Sequence, residues 1–170
     1  MKAFLQTRPL LAAALLLATT SLLGCEKEKA RPTSKADILT AHKWQVTSWR
    51  LTTRTYMTST GPGSQQPTVL TSDPQSCDLD DVDTYNADGT LLTDYGTIKC
   101  QTSDPQTVNG TWQLLNNEAQ LSYVFRIGQP PREFTINQLS HTLLDITESK
   151  VTTRNGYTYE YEYTAQYRAR

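Results

Sequence analysis

The 170-residue sequence predicts an all-β fold: an eight-stranded antiparallel up-and-down barrel behind one short N-terminal helix. Three observations predict it. Apolar and polar residues alternate with period two in run after run. Short turn signals separate the runs: Asn86-Ala87-Asp88-Gly89, Asn116-Asn117 and Asn155-Gly156. No helical period follows residue 41. A meander with one apolar face closes most economically on itself, because closure leaves no exposed edge. At eight strands the interior holds side chains alone or one small ligand.

The chain opens with a leader. Lys2 and Arg8 precede the apolar run from Leu10 to Ala18, which is short for a membrane span and reads as a secretory signal over residues 1–24. It ends in Leu22-Leu23-Gly24-Cys25, which resembles the lipobox of bacterial lipoproteins. The resemblance implies cleavage before Cys25, a diacylglyceryl group on its sulfur and a palmitate-type acyl chain on its new amine. Two or more such chains hold a protein stably in a membrane. By the same resemblance, Glu26 in place of Asp points to the outer membrane, on its periplasmic side or at the cell surface. Residues 25–33 are a charged linker, and residues 34–170 form the folded domain. Without the leader, 14 basic residues face 17 acidic ones, a net charge of −3. That balance argues against nucleic acid, which selects a basic face.

Ser34 caps a helix over Lys35 to Ala41, with Asp37 completing a capping box. Lys43–Met57 is a long aromatic, Thr-rich strand. Trp44 and Val46 share one face, Trp49 and Leu51 the other, so a bulge or bend falls between them. Thr58 to Ser76, rich in Gly and Pro, reads as a long mobile loop. Strands follow near 80–86 and 90–99, then at Thr107–Leu115. Leu121, Tyr123, Phe125 and Ile127 alternate on the next. Arg132–Gln138 and Leu143–Glu148 come after it. The last strand, Tyr157–Arg168, points Tyr157, Tyr159, Tyr161, Tyr163, Ala165 and Tyr167 to one side.

Cys77 and Cys100 bracket the hairpin that turns at residues 86–89. Folding it brings their strands side by side, where a bridge is feasible. Outside the cytoplasm two such cysteines read as one disulfide, stabilising by roughly 3 kcal/mol in the chain-entropy account.

The chemical candidates are few. Asp78, Asp80, Asp81, Asp83 and Asp88 lack a calcium-loop pattern and read as a solvated rim and turn. His42 and His141 stand in no zinc spacing and read as surface residues. There is no Gly-x-Ser-x-Gly elbow, and oxidised cysteines offer no nucleophile. The reading is therefore not an enzyme, with no cofactor and no metal.

The order of several short motifs resembles the bacterial lipocalin-like domain proteins over residues 36–168. They are Leu39 and Trp44; Cys77, Asp80, Asp81 and Asp88-Gly89; Gly110-Thr111-Trp112; and Leu139-Ser140 with Leu143. Lipocalins carry Gly-x-Trp on the first strand, where this chain has His42-Lys43-Trp44. The resemblance implies a calyx for a small apolar molecule. Tyrosine joins an apolar body to a polar tip, which suits a partly polar aromatic or lipid-like ligand. The candidate ligand-contacting residues are Trp44, Trp112, Tyr123, Phe125, Tyr159, Tyr161 and Tyr163. The expected function is a tethered module binding a small hydrophobic or amphipathic ligand. The alternative is an interaction or inhibitor lipoprotein that meets an outer-membrane protein through its loops and rim.

Overall fold

One long strand closes the ring. A computed structural model describes residues 33–57 and 67–170. The expected leader, Cys25, the linker up to residue 32 and loop residues 58–66 lie outside the described residues. Helix α1 is Lys35–Ala41. The strands are β1 (Lys43–Met57), β2 (Thr68–Ser72), β3 (Val82–Tyr85), β4 (Thr90–Asp94), β5 (Thr107–Leu115), β6 (Gln120–Val124), β7 (Arg132–Leu139), β8 (Leu143–Arg154) and β9 (Tyr157–Ala169). Eight of them, all except β2, follow one another antiparallel from β1 to β9. The ring shuts because β1 pairs with β3 through Lys43–Gln45 and with β9 from Trp44 to Met57. The register shifts between Val46 and Ser48. Thr47 is the extra residue, so Trp44 and Val46, then Trp49 and Leu51, all turn inward, as the switch of faces predicts.

Local chemistry sets the turns. Ser34 Oγ accepts from the Asp37 amide and the Asp37 carboxylate accepts from the Ser34 amide, both at 3.0 Å, so the capping box is complete. Gly89 takes φ +84°, and Asn155-Gly156 takes φ +54° and +75°, the left-handed pair a two-residue hairpin needs. Gly110 answers a different demand: a Cβ there would lie 1.9 Å from the Val124 carbonyl oxygen.

Leu39 and Trp44 seal the helix end of the barrel. The Trp44 indole N–H donates to the Leu39 carbonyl at 2.9 Å. Tyr85, Leu91, Leu121, Phe134, Leu144 and Ile146 fill the space above them, all essentially inaccessible. Each such burial stabilises by about 1.5–3 kcal/mol.

The structure corrects four expectations. Residues 58–76 are not loop throughout: Thr68–Ser72 pairs with Thr55–Leu51 as a ninth strand. Its Thr-Val-Leu-Thr run suits a pleated edge, and Pro67 sits just before it, where a missing N–H costs nothing. The strand expected at 90–99 stops at Asp94, because the Asp80 carboxylate accepts from the Thr97 and Ile98 amides at 2.6 and 2.9 Å and pulls the chain into a loop. The cysteines therefore stand in rim loops rather than on strands, although they are bonded, with Cα atoms 5.2 Å apart. The strand after the 116–119 turn ends at Val124, leaving Ile127 74% exposed.

Past the ring, the far halves of β1, β8 and β9 continue together. With β2 they make an open four-stranded arm, ordered β2-β1-β9-β8. Met57, Val69, Leu70, Val151 and Tyr157 are its exposed apolar residues.

Candidate functional site: the open end of the barrel

The end opposite the helix is hollow. A cavity of about 360 Å³ opens there, walled by Trp49, Tyr123, Phe125, Tyr163 and Tyr167, with Val46, Thr93 and Gln129 between them. Its charged residues are Asp78, Asp81, Asp83 and Arg132. Strand alternation explains the carboxylates. Thr93, buried, and Trp44, buried, both pair with Asp83, so Asp83 points inward along with Tyr85. Asp81, two residues earlier, points the same way.

The expectation of a solvated acidic rim is therefore overturned for Asp81 and Asp83, because a closed sheet gives alternate residues an inside. Burial lifts the Asp83 carboxyl to about 6, against a hydrogen bond from the Thr93 hydroxyl that works the other way. Burial also lifts Asp81, with help from the neighbouring Asp83, Asp78, Asp80 and Asp94, to about 7. The Asp81 Oδ1 atom is buried and has no hydrogen-bond partner. Among the described residues, no lysine or arginine forms an ion pair with Asp78, Asp81 or Asp83. Asp80 and Asp88 stay structural. Asp88 takes the Thr90 amide and hydroxyl in its turn, and Asp80 holds the rim loop.

Arg132 shows what the cavity wall tolerates. Its guanidinium carbon lies 4.8 Å from the ring centres of both Phe134 and Tyr163. Its Nε and Nη2 donate to the Glu148 carboxylate. Burial is the largest single influence and lowers its pKa, yet the Glu148 hydrogen bonds and the charge interactions with Tyr123, Glu148 and Tyr163 together outweigh it and raise it. This cation is neutralised by its own partner. The phenols stay protonated: burial raises Tyr163 to about 12 and pushes Tyr123 and Tyr167 well above the ordinary value as well.

Of the seven residues expected to contact a ligand, the cavity gathers Tyr123, Phe125 and Tyr163. Trp44 lies in the sealed end. Trp112 meets the edge of Tyr85 and donates to the Asn86 carbonyl at 2.9 Å, away from the hollow. Tyr159 and Tyr161 stack on each other on the arm, rings 6.4 Å apart. Sequence reasoning missed Trp49, Thr93, Arg132, Asp81 and Asp83 as wall residues. The one available signal was the odd-numbered spacing of Asp81, Asp83 and Tyr85. Cys77, Asp78 and Cys100 converge, but both sulfurs are spent in the disulfide. His42 and His141 meet at 3.2 Å at the sealed end, where each satisfies the other.

No protein-family model matches this chain, and no curated protein matches it.

Proposed function

We propose that this chain is a membrane-tethered, lipocalin-like lipoprotein that holds one small amphipathic molecule in the open end of its barrel. The observation that carries the reading is the half-filled interior. The sealed half is packed by its own side chains, while the open half keeps about 360 Å³ among five aromatic rings and several polar groups. That volume lies at the lower end of the range for small-ligand sites, and the mixture of apolar wall and few polar groups is typical of them. Cys25, lipidated, supplies the tether, and the outer membrane is the compartment its flanking Glu26 favours. The barrel and the disulfide are consistent with an oxidising compartment.

The test is direct. The leaderless domain, purified without detergent, is taken to native mass spectrometry and to a thermal-shift panel of small amphiphiles. A bound mass, or a ligand that raises Tm and loses that effect in Trp49→Ala, supports the reading. A panel with no hit and a protein with no adduct sink it.

The arm favours a second reading. Its outer edge strand β2 is exposed along its whole length, and five apolar residues of the arm are exposed. Unpaired strand edges with exposed apolar side chains are places where another chain adds on. An outer-membrane protein partner would use this surface and leave the cavity empty. Cross-linking from position 70 or 151 in intact cells separates the two: a discrete protein adduct there supports the partner reading.

A further inference from the structure

We propose that the ligand class of the open-end cavity is an organic cation, an alkyl- or arylammonium small enough to sit between the aromatic wall and the carboxylates of Asp81 and Asp83. This rests on the reading of the cavity as a ligand site.

Three features of the cavity converge on it. The first is charge. Asp78, Asp81 and Asp83 face the hollow with no ion pair among the described residues, while Arg132 is cancelled by Glu148. An anion such as a fatty-acid carboxylate would meet uncompensated carboxylates and a guanidinium already engaged. A cation would meet its complement. The second is the wall. Trp49, Tyr123, Phe125 and Tyr163 line it with aromatic rings, and such rings attract cations most strongly where water is excluded. The chain already uses this chemistry beside the cavity, where Phe134 and Tyr163 each hold the Arg132 guanidinium at 4.8 Å. The third is an unmet acceptor: Asp81 Oδ1 is buried without a donor, and a buried acceptor left unpaired is costly. A cation held in the cavity would offset that cost through its charge, without a direct hydrogen bond.

The cation should also impose a pH dependence. Asp81 is surrounded by Asp78 and Asp80 of its own loop, Asp83 on β3, Asp94 on β4 and Tyr95 just beyond it. Tyr123 on β6, Arg132 on β7 with Glu148 on β8, and Tyr163 and Tyr167 on β9 complete the enclosure. The tyrosines stay neutral and Arg132, held by its hydrogen bonds to Glu148, stays charged across the physiological range. Asp81 and Asp83 are the groups that change. A permanent cation binds their ionised forms, so its affinity rises as pH rises from 5 to 8.

The experiment uses the leaderless domain and three probes of similar size, titrated by calorimetry. Benzyltrimethylammonium carries a charge that does not titrate. Neopentylbenzene is its neutral isostere. Laurate is an anionic amphiphile. The expected result is a preference of at least ten-fold for benzyltrimethylammonium over both others at pH 8. Its affinity should fall at least ten-fold at pH 5, and by a similar factor in Asp81→Asn/Asp83→Asn. Circular dichroism and Tm confirm that the double variant folds. Where it does not, Asp81→Asn alone is read, with an expected loss of at least three-fold. Equal or tighter binding of the isostere or laurate overturns the cation class and leaves the cavity as a ligand site. Binding of none of the three overturns both.

Discussion

The two halves of the barrel interior are built from the same strands and put to opposite uses. At the helix end, Trp44, Tyr85, Leu91, Phe134 and Ile146 are essentially inaccessible, and the helix residue Leu39 plugs the ring. At the other end the same inward-facing alternation delivers Asp81, Asp83, Thr93 and Arg132 into a hollow. β3 shows the contrast within four residues: Asp83 points into the open half, Tyr85 into the filled one. A pleated ring specifies which residues face inward but not whether they are apolar. Packing at one end stabilises the fold enough for the other to carry buried carboxylates, each of which costs free energy. The Cys77–Cys100 bridge lies on that costlier side and ties its two rim loops together.

The sharpest way to break this comparison is to hollow the filled end. Trp44→Ala removes a fully buried indole and its hydrogen bond, so it should cost about 3–5 kcal/mol, read as a loss of Tm or of folded protein. Trp49→Ala at the open end removes a wall rather than a plug. It should cost much less stability, and a Tm as low as that of Trp44→Ala would erase the distinction. Cys77→Ser comes next, at roughly 3 kcal/mol, and added reductant should lower the Tm of the parent protein to the same value. An unchanged Tm under reductant would show that the rim loops need no pin.

The third effect is a slope rather than a drop. Asp83, buried, titrates near 6 in the fold against 3.8 for an ordinary aspartate. The folded chain therefore holds a proton that the unfolded chain has lost between those values. Stability from this group is present below pH 4 and is lost as pH rises through about 6, a total of about 3 kcal/mol at most. Asp81 pulls in the same direction up to about pH 7. Asp83→Asn should flatten the fall of Tm between pH 4 and 7, and a parent profile that rises over that window would contradict the burial of these acids. The smallest effect belongs to the arm. Leu70→Lys and Val151→Lys change exposed side chains outside the ring and should leave unfolding free energy within about 0.5 kcal/mol of the parent.

How much of this was legible depends on the length scale of each signal. Ser34, Gly89 and Asn155-Gly156 act within a few residues, so the capping box and both turns could be read directly. The switch of faces between Val46 and Trp49 announced its bulge. The tyrosines of β9 were legible as one face, yet that face serves three places. Tyr167 is core that also backs the cavity, Tyr163 is cavity wall, and Tyr159 and Tyr161 are arm surface. Strand β9, with its neighbours β1 and β8, outruns the rest of the ring, and nothing local to it records where β3 to β7 end. The acidic run misled for the same reason: five aspartates near a turn look solvated until the ring encloses two of them.

By itself the sequence determined the all-β class, the eight-strand ring, the helix with its cap and the pairing of Cys77 with Cys100. Alternation, turn chemistry and cysteine count are properties of neighbours along the chain. Only tertiary structure decided where the ring stops, which end is plugged, and that Asp81 and Asp83 share a cavity with Arg132 and Trp49. Those facts depend on strand lengths compared across the sheet, and no residue carries its partner's length in its own side chain.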